Sequence, residues 1–374
     1  MISVFINASE NEGEAPLPIN GLYLEKYVFT ESIFSLYTKG FLYIKDPFCG
    51  FSPLIKIGTE FLISFPNEAT QHSMRVTSFR KIPSTQSSAG CNIEVNLINS
   101  WFFAKKVYST ACQGNVSSII HSEISKEGFF KKYQIEAGSD TPRVRYLLGK
   151  SLPEYINSII KYGFKKGGDG TRSPFVAFTD FGSSFVVSSL KTLSQRNPCV
   201  LCVPWGNIVD AGIQVPAEFE SYNIVRMLAY SLVSGGSRIP SNDTLEVSRN
   251  LLIESNNNNN NNNKESKENF SSSLNRSFVS KEYPQSLRYS SWYNVPGDEI
   301  SEYMREKEIT LRKSSGIECI CPDLVIFDLG STVNAILPQT FSLGDCNKFQ
   351  VYEVSYIKEQ DNITTSLKMY PIGD

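Results

Sequence analysis

The sequence offers few groupings of reactive side chains, and each has a structural reading beside the chemical one. Gly149-Lys150-Ser151 ends like a phosphate-binding loop, whose lysine and hydroxyl reach a nucleotide's phosphates and magnesium. That loop needs a glycine five residues before Gly149, and the position holds Val144. Ser151-Leu152-Pro153-Glu154 reads instead as a capping box with proline in the first helical turn, which accounts for Ser151. Cys199-x-x-Cys202 and Cys319-x-Cys321 would together offer four thiolates to zinc. The second spacing is unusual, and the first pair lies in an apolar run, where cysteine behaves as a small buried hydrophobe. No metal is expected on that basis. A redox role for Cys199 and Cys202 lacks a basic neighbour to lower a thiol pKa, since Pro198 and Val203 flank them.

Two histidines, His72 and His121, argue against histidine-based catalysis or a histidine-rich metal site. Glycoside hydrolysis needs paired carboxylates, one with a raised pKa. Of the 38 acids, Asp180 is the best placed, at a hairpin turn, but a turn aspartate usually bonds its own backbone. Lys131-Lys132 and Lys165-Lys166 read as solvated surface. No motif specifies a reaction. The expectation is a non-enzyme with no catalytic residue, no cofactor and no metal.

The elements that would position any site are mostly strands. The 374 residues are 41% hydrophobic and 20% charged, which supports a sizeable core, and phenylalanine (24) and tyrosine (18) far outnumber methionine (5). The formal net charge of -2 argues against a basic coat for nucleic acid, though not against a channel that nucleic acid passes through. No run of 18 apolar residues spans a membrane, and Met1–Asn7 lacks the basic start and apolar stretch of a signal peptide. Without a secretion signal, the glycosylation triplet Asn115-Val116-Ser117 carries no weight. Eight scattered cysteines fit reduced thiols in a cytoplasm.

Phe41–Ile44, Phe61–Phe65, Met74–Phe79 and Ile93–Leu97 read as strands separated by turns. Asn115–Glu127 reads as an amphipathic helix ending at Gly128, and a second helix follows the Ser151 cap as far as Gly163. Phe175–Asp180 and Phe185–Val187 form a hairpin turned by Phe181-Gly182. Cys199–Val203 is a further strand, and Ala217–Val233 fits neither period. The eight-asparagine run Asn256–Asn263 marks a mobile, disordered loop in a polar insertion. Leu324–Phe327, Phe349–Val354 and Ser366–Tyr370 read as strands.

The last sixty residues repeat the first hundred in outline. Ile57-Gly58-Thr59-Glu60-Phe61 matches Leu329-Gly330-Ser331-Thr332-Val333. Met74-x-Val76-x-x-Phe79 matches Phe349-x-Val351-x-x-Val354, and Ile93-x-Val95-x-Leu97 matches Thr365-x-Leu367-x-Met369. Three elements in one order suggest two related β-domains.

With the Gly58 and Gly330 strand openings, the Phe175-x-x-Phe178-Thr179-Asp180-Phe181-Gly182 hairpin followed by Ser189-Leu190, and the closing Val351–Val354 and Leu367–Met369 strands, the layout resembles the hub proteins of phage tails and related contractile injection machines, including the hub half of VgrG spike proteins. The resemblance implies a mostly β fold with an α/β insertion: two similar β-barrel domains flanking an α/β domain. The division would be 1–108 for the first β-barrel tube domain and 109–195 for the α/β domain. The second β-barrel would run over 196–240 and 312–374, interrupted by the insertion 241–311 with its Asn-rich loop, which matches nothing in the family.

It further implies a homotrimeric adaptor in the virion tail, assembled in the host cytoplasm. Such an adaptor joins the six-fold tail tube protein to a three-fold central spike protein, contacts other baseplate proteins, and lines a channel through which DNA passes without specific binding. It has no membrane insertion. The absence of an appended lysozyme-like or needle domain points to a spike on a separate chain. Two alternatives are a tail-associated cell-wall-degrading enzyme and a host-protein-binding module contacting its target through the Asn-rich loop.

Overall fold

The computed structural model describes residues 2–7, 15–19, 21–66, 71–83, 90–103, 107–128, 130, 132–140, 142–167, 172–181, 184–202, 208–213, 224–232, 238–248, 290–296, 309, 312–313, 315–336 and 348–372. The first region contributes β1 (Ser3–Asn7), β2 (Leu17–Ile19), β3 (Leu24–Ser32), β4 (Lys39–Asp46), β5 (Glu60–Ser64), β6 (Gln71–Pro83) and β7 (Cys91–Asn99). The middle region holds β8 (Val107–Gly114), α1 (Val116–Glu127), β9 (Lys132–Ile135), β10 (Arg143–Ser151), α2 (Leu152–Ile160), β11 (Phe164–Lys166), β12 (Arg172–Thr179), β13 (Ser184–Ser189) and α3 (Leu190–Ser194). The last region holds β14 (Cys199–Cys202), β15 (Ile208–Ile213), β16 (Ile224–Leu232), β17 (Arg238–Ser248), β18 (Ser290–Pro296), β19 (Ser315–Cys321), β20 (Thr332–Ile336), β21 (Lys348–Glu359) and β22 (Asn362–Pro371).

The fold is mostly β, with the α/β elements between the two β regions as expected. Both expected helices form for the expected reasons. Asn115 caps α1 by accepting from the Ser118 N–H at 2.8 Å, and Gly128 closes it. Val116, Ile119, Ile120 and Ile124 make its buried face. Before α2, the Ser151 N–H donates to the Glu154 carboxylate at 2.9 Å, and Leu152, Tyr155, Ile156, Ile159 and Ile160 turn inward.

The hairpin β12–β13 is a wall between two cores. Phe175, Ala177, Phe185 and Val187 pack with α1, α2 and Trp101. The alternate residues Val176, Phe178 and Val186 pack with strands of both β regions. Burial on both faces explains why Phe175-Val176-Ala177-Phe178 is apolar throughout rather than alternating.

One expectation is corrected. Leu324–Phe327 is not a strand. The Thr365 hydroxyl accepts from the Val325 N–H at 2.9 Å and donates to the Asp323 carbonyl at 3.0 Å, so a side chain holds this segment, and Val325 and Ile326 are exposed. The strand here is β19, whose Ile317 and Cys319 point inward. The open segment Ala217–Val233 contains β16, which pairs with β17 and β18 in a separate three-stranded sheet and so does not join the larger sheet with β14 and β15. The two β regions are continuous with each other. β3 and β21 pair antiparallel, so both regions belong to one 13-stranded sheet. The Asn256–Asn263 run lies outside the described residues.

Candidate functional site

The duplication holds at the level of individual hydrogen bonds. In the first region five strands run β3-β4-β7-β6-β5, and in the last β15-β19-β22-β21-β20, with every neighbour antiparallel. The Gly58 N–H donates to the Val76 carbonyl at 2.8 Å, and the Val76 N–H returns to Thr59 at 3.0 Å. The Gly330 N–H donates to Val351 at 3.2 Å, and the Val351 N–H returns to Ser331 at 3.0 Å. Both glycines have positive φ, +87° and +76°, which a side chain would strain.

Each long strand also carries a bulge one step beyond this turn. The β6–β7 register shifts between Val76 and Ser78, and the β21–β22 register between Val351 and Glu353. Val76 stands opposite Leu97 and Val351 opposite Met369, the residues aligned from sequence. The units differ at one edge, where β5 is followed by antiparallel β1 and β20 by parallel β14.

The units meet where β21, past its bulge, turns its far edge to β3. Glu353 through Glu359 stand opposite Ser32 through Lys26. Thr30 and Ser355 hydroxyls pair across the seam at 2.9 Å, and Lys26 meets Glu359 at 3.0 Å. Beneath it lies Glu31, 2% exposed, whose carboxylate accepts from the Phe181 N–H at 2.9 Å and from the Tyr356 hydroxyl at 3.4 Å. One buried acid thus binds the first unit, the second unit and the hairpin turn of the α/β region.

The Phe181 ring enters the same seam. It lies 5.0 Å from Phe65, 5.9 Å from His72, and 6.0 Å from both Phe29 and Tyr356. The Thr179 hydroxyl adds a bond to the Leu36 carbonyl at 3.1 Å and accepts from Asn99 at 2.9 Å. The sequence marked Phe181 only as a turn residue and did not mark Glu31. The available signal was an acid at an inward position of an alternating strand, after Tyr27 and Phe29.

The residues weighed for chemistry have structural partners. Asp180 accepts from the Ser184 N–H at 2.8 Å and closes its hairpin. Asp46 takes the N–H groups of Gly50, Phe51 and Ser52, and Asp140 that of Val116. Gly149 and Lys150 fall where the β8–β10 ladder slips, just before the α2 cap. β14, carrying Cys199 and Cys202, is separated in the sheet from β19 by β20, β21 and β22, so the two cysteine pairs are not on neighbouring strands. Cys319 and Cys321 share a hydrogen bond that, with burial, pushes the Cys319 thiol up, and that bond brings Cys321 down to about 7. His72 is buried against Phe65 and Phe181, and the His121 ring stacks edge-on with Tyr133. Among the described residues no helix is long and apolar enough to cross a membrane, and no cluster of three metal-ligating side chains occurs.

No protein-family model and no curated protein matches the sequence. Solved structures do match the fold. A 43 kDa tail protein of prophage MuSo2 from Shewanella oneidensis aligns with a TM-score of 0.59 at 10% identity, over 100% of this chain and 98% of that one. A tail protein from Neisseria meningitidis MC58 aligns with a TM-score of 0.58 at 11% identity, over 99% and 96%. The Escherichia coli c3393 protein, a type VI secretion component described as structurally similar to the T4 tail proteins gp27 and gp5, aligns with a TM-score of 0.51 at 10% identity, over 99% and 77%. Over 99–100% of its length this chain therefore shares the fold of these phage tail proteins and of the type VI secretion component.

Proposed function

We propose that this chain is a structural hub of a phage tail or baseplate, located in the virion tail and assembled in the host cytoplasm. Three copies form an adaptor between a six-fold tail tube protein and a three-fold central spike protein, in contact with other baseplate proteins. Residues 1–108 and 196–374 supply the two tube domains, 109–195 the α/β domain between them, and 241–311 an insertion in the second. DNA passes through the central channel without specific binding.

The observation that carries this reading is the duplication: the same turn, bulge and register around Val76 and around Val351. Two like units per chain let three chains present six like surfaces, which matches a six-fold ring on one side while three chain copies match a three-fold partner on the other. The alternative of a cell-wall-degrading enzyme needs paired carboxylates with protons to exchange. Of the buried acids, Glu31, Asp46 and Asp140 are engaged by backbone N–H groups and Glu123 by the Lys126 ammonium, which favours the structural reading.

Negative-stain imaging with native mass spectrometry of the purified protein tests the proposal. The expected result is a ring of three chains with six similar lobes. A stable monomer with hydrolase activity on cell-wall material would overturn it.

A further inference from the structure

Two cysteines far apart in sequence come together at one end of the first β region. Asp46, the last residue of β4, stands opposite Cys91, the first of β7. The chain then turns back: the Cys49 N–H donates to the Asp46 carbonyl at 3.3 Å, with Pro47 second in the turn. The Asp46 carboxylate holds the exit of the turn by accepting from the Gly50, Phe51 and Ser52 N–H groups at 2.7, 3.0 and 2.8 Å. Gly90 lets the turn sit close against β7, since a Cβ there would come within 2.8 Å of the Pro47 Cα. The Cys49 thiol is thereby brought to Cys91 and hydrogen-bonds to it.

A second observation sets this cysteine apart. Cys49 has φ +55°, one of two positive values among the described non-glycine residues. A Cβ strains that left-handed conformation, which glycine adopts readily and asparagine tolerates. The turn alone gives no reason for cysteine at this position, whereas a thiol delivered to Cys91 does. Cys49 is exposed and Cys91 partly so, which lets a small oxidant reach the pair. The other hydrogen-bonded pair differs. Cys319 and Cys321 are two apart on β19, which β15 and β22 ladder on both edges. A strand sets such positions about 6.6 Å apart, at the long end of the disulfide range, and Cys319 is buried.

We propose that Cys49 and Cys91 form a reversible oxidation site, a dithiol that closes to a disulfide at the expense of a low-molecular-weight disulfide of the glutathione class. One cysteine, as thiolate, attacks a sulfur of the oxidant and expels one thiolate, leaving a mixed disulfide. The other, as thiolate, attacks the protein sulfur of that mixed disulfide, forms the Sγ–Sγ bond and expels the second. The two protons lost by the cysteines end on the two expelled thiolates, and two electrons pass from protein to oxidant. Loss of hydration at the contact, then the Cys91 thiol and Asp46, hold Cys49 above the ordinary thiol range. Cys49 therefore keeps its proton in the reduced pair, which slows closure in a reducing cytoplasm. The closed bridge staples the β4–β5 turn, whose Phe48 is 84% exposed, to the β6–β7 hairpin where Cys91 faces Pro83. This site does not depend on the hub reading.

Full-length protein equilibrated in graded mixtures of reduced and oxidised glutathione, then acid-quenched, alkylated and peptide-mapped without reduction, tests the site. The expected result is a Cys49–Cys91 linked peptide that accumulates as oxidised glutathione rises and disappears on return to excess thiol. The urea midpoint of the oxidised protein should lie above that of the reduced protein, because the bridge constrains the unfolded chain. That difference should vanish in Cys49→Ser, whose circular dichroism should match wild type, and Cys91 should then carry glutathione instead. Separate glutathione adducts on Cys49 and Cys91 of wild type with no bridge, or a bridge from either to another cysteine, would overturn the proposal. Equal urea midpoints for oxidised and reduced wild type would overturn it as well.

Discussion

Phe181→Ala should strip the seam of the part that holds three regions together. The ring is 5% exposed and has four aromatic partners, at 5.0 to 6.0 Å, from β3, the end of β5, β6 and β21. Truncating a buried phenylalanine costs about 3–5 kcal/mol. Each aromatic pair adds about 0.5–1.5 kcal/mol beyond burial, already inside that range, so a loss in the middle of it, about 4 kcal/mol, is expected. The Phe181 N–H bond to Glu31 is made by the backbone and survives the substitution. Hydrogen exchange with mass-spectrometric readout should therefore show β12–β13 and the β3–β21 seam losing protection together, with α1 and α2 less affected. Urea unfolding should show the stability loss. Phe79→Ala, on an exposed edge, is the control and should cost well under about 1 kcal/mol in the isolated chain. A Phe181→Ala loss as small as that control, or loosening confined to the hairpin, would refute the idea that Phe181 links the units.

Gly58→Ala and Gly330→Ala should each cost about 1–2 kcal/mol from the left-handed backbone, because neither new methyl meets a prohibitive clash; equal urea shifts check the equivalence of the two turns. Iodoacetamide at pH 8 should label Cys321 well before Cys319, because Cys321 lies near 7 and Cys319 is held protonated and buried; peptide mapping reads the ratio. The Ser151 N–H and hydroxyl lower the Glu154 pKa below the ordinary glutamate value. Its capping contribution is therefore full above that ordinary value and fades as pH falls through the lowered one. Urea midpoints of wild type and Glu154→Gln should differ most near neutrality and converge in acid.

The parts legible in the sequence were those whose period is undisturbed. β4, β5 and β7 alternate cleanly and were found, and the capping residues Asn115 and Ser151 announced their helices. β3 escaped because its register slips between Leu24 and Lys26, which breaks the alternation, and because an inward acid, Glu31, stands where a hydrophobe is expected. β19 lost to Leu324–Phe327 because an apolar run says nothing about whether its backbone finds a ladder, and there a threonine hydroxyl supplied the bonds instead. The glycine turns exposed the duplication, since a positive φ leaves a residue type behind. The seam left no such mark. Its partners are 325 residues apart at Thr30 and Ser355, and nothing local says which of many alternating strands will meet.

The face of the shared sheet opposite the core bears on the proposed channel. It carries Lys26, Lys45 and Lys368, each within 3.0 Å of a glutamate: Glu359, Glu25 and Glu353 respectively. All six side chains are at least a quarter exposed, so each pair adds only about 0–1 kcal/mol to stability and stability alone does not explain them. Their electrostatic effect is larger. A lysine beside a carboxylate offers little net charge to a passing phosphate, whereas a bare lysine would hold it and release counterions. If this face lines the channel, removing the glutamates should create an affinity that the wild type lacks. Replacing Glu25, Glu353 and Glu359 by glutamine moves the formal net charge from -2 to +1 by deleting three negative charges. Fluorescence anisotropy with a short DNA duplex should then show binding at low salt, with a log–log salt slope of about -3 per chain engaged. Wild type should show none under the same conditions. Binding by wild type, or a variant still indifferent to DNA while its fold is intact, would refute the assignment of this face to the channel.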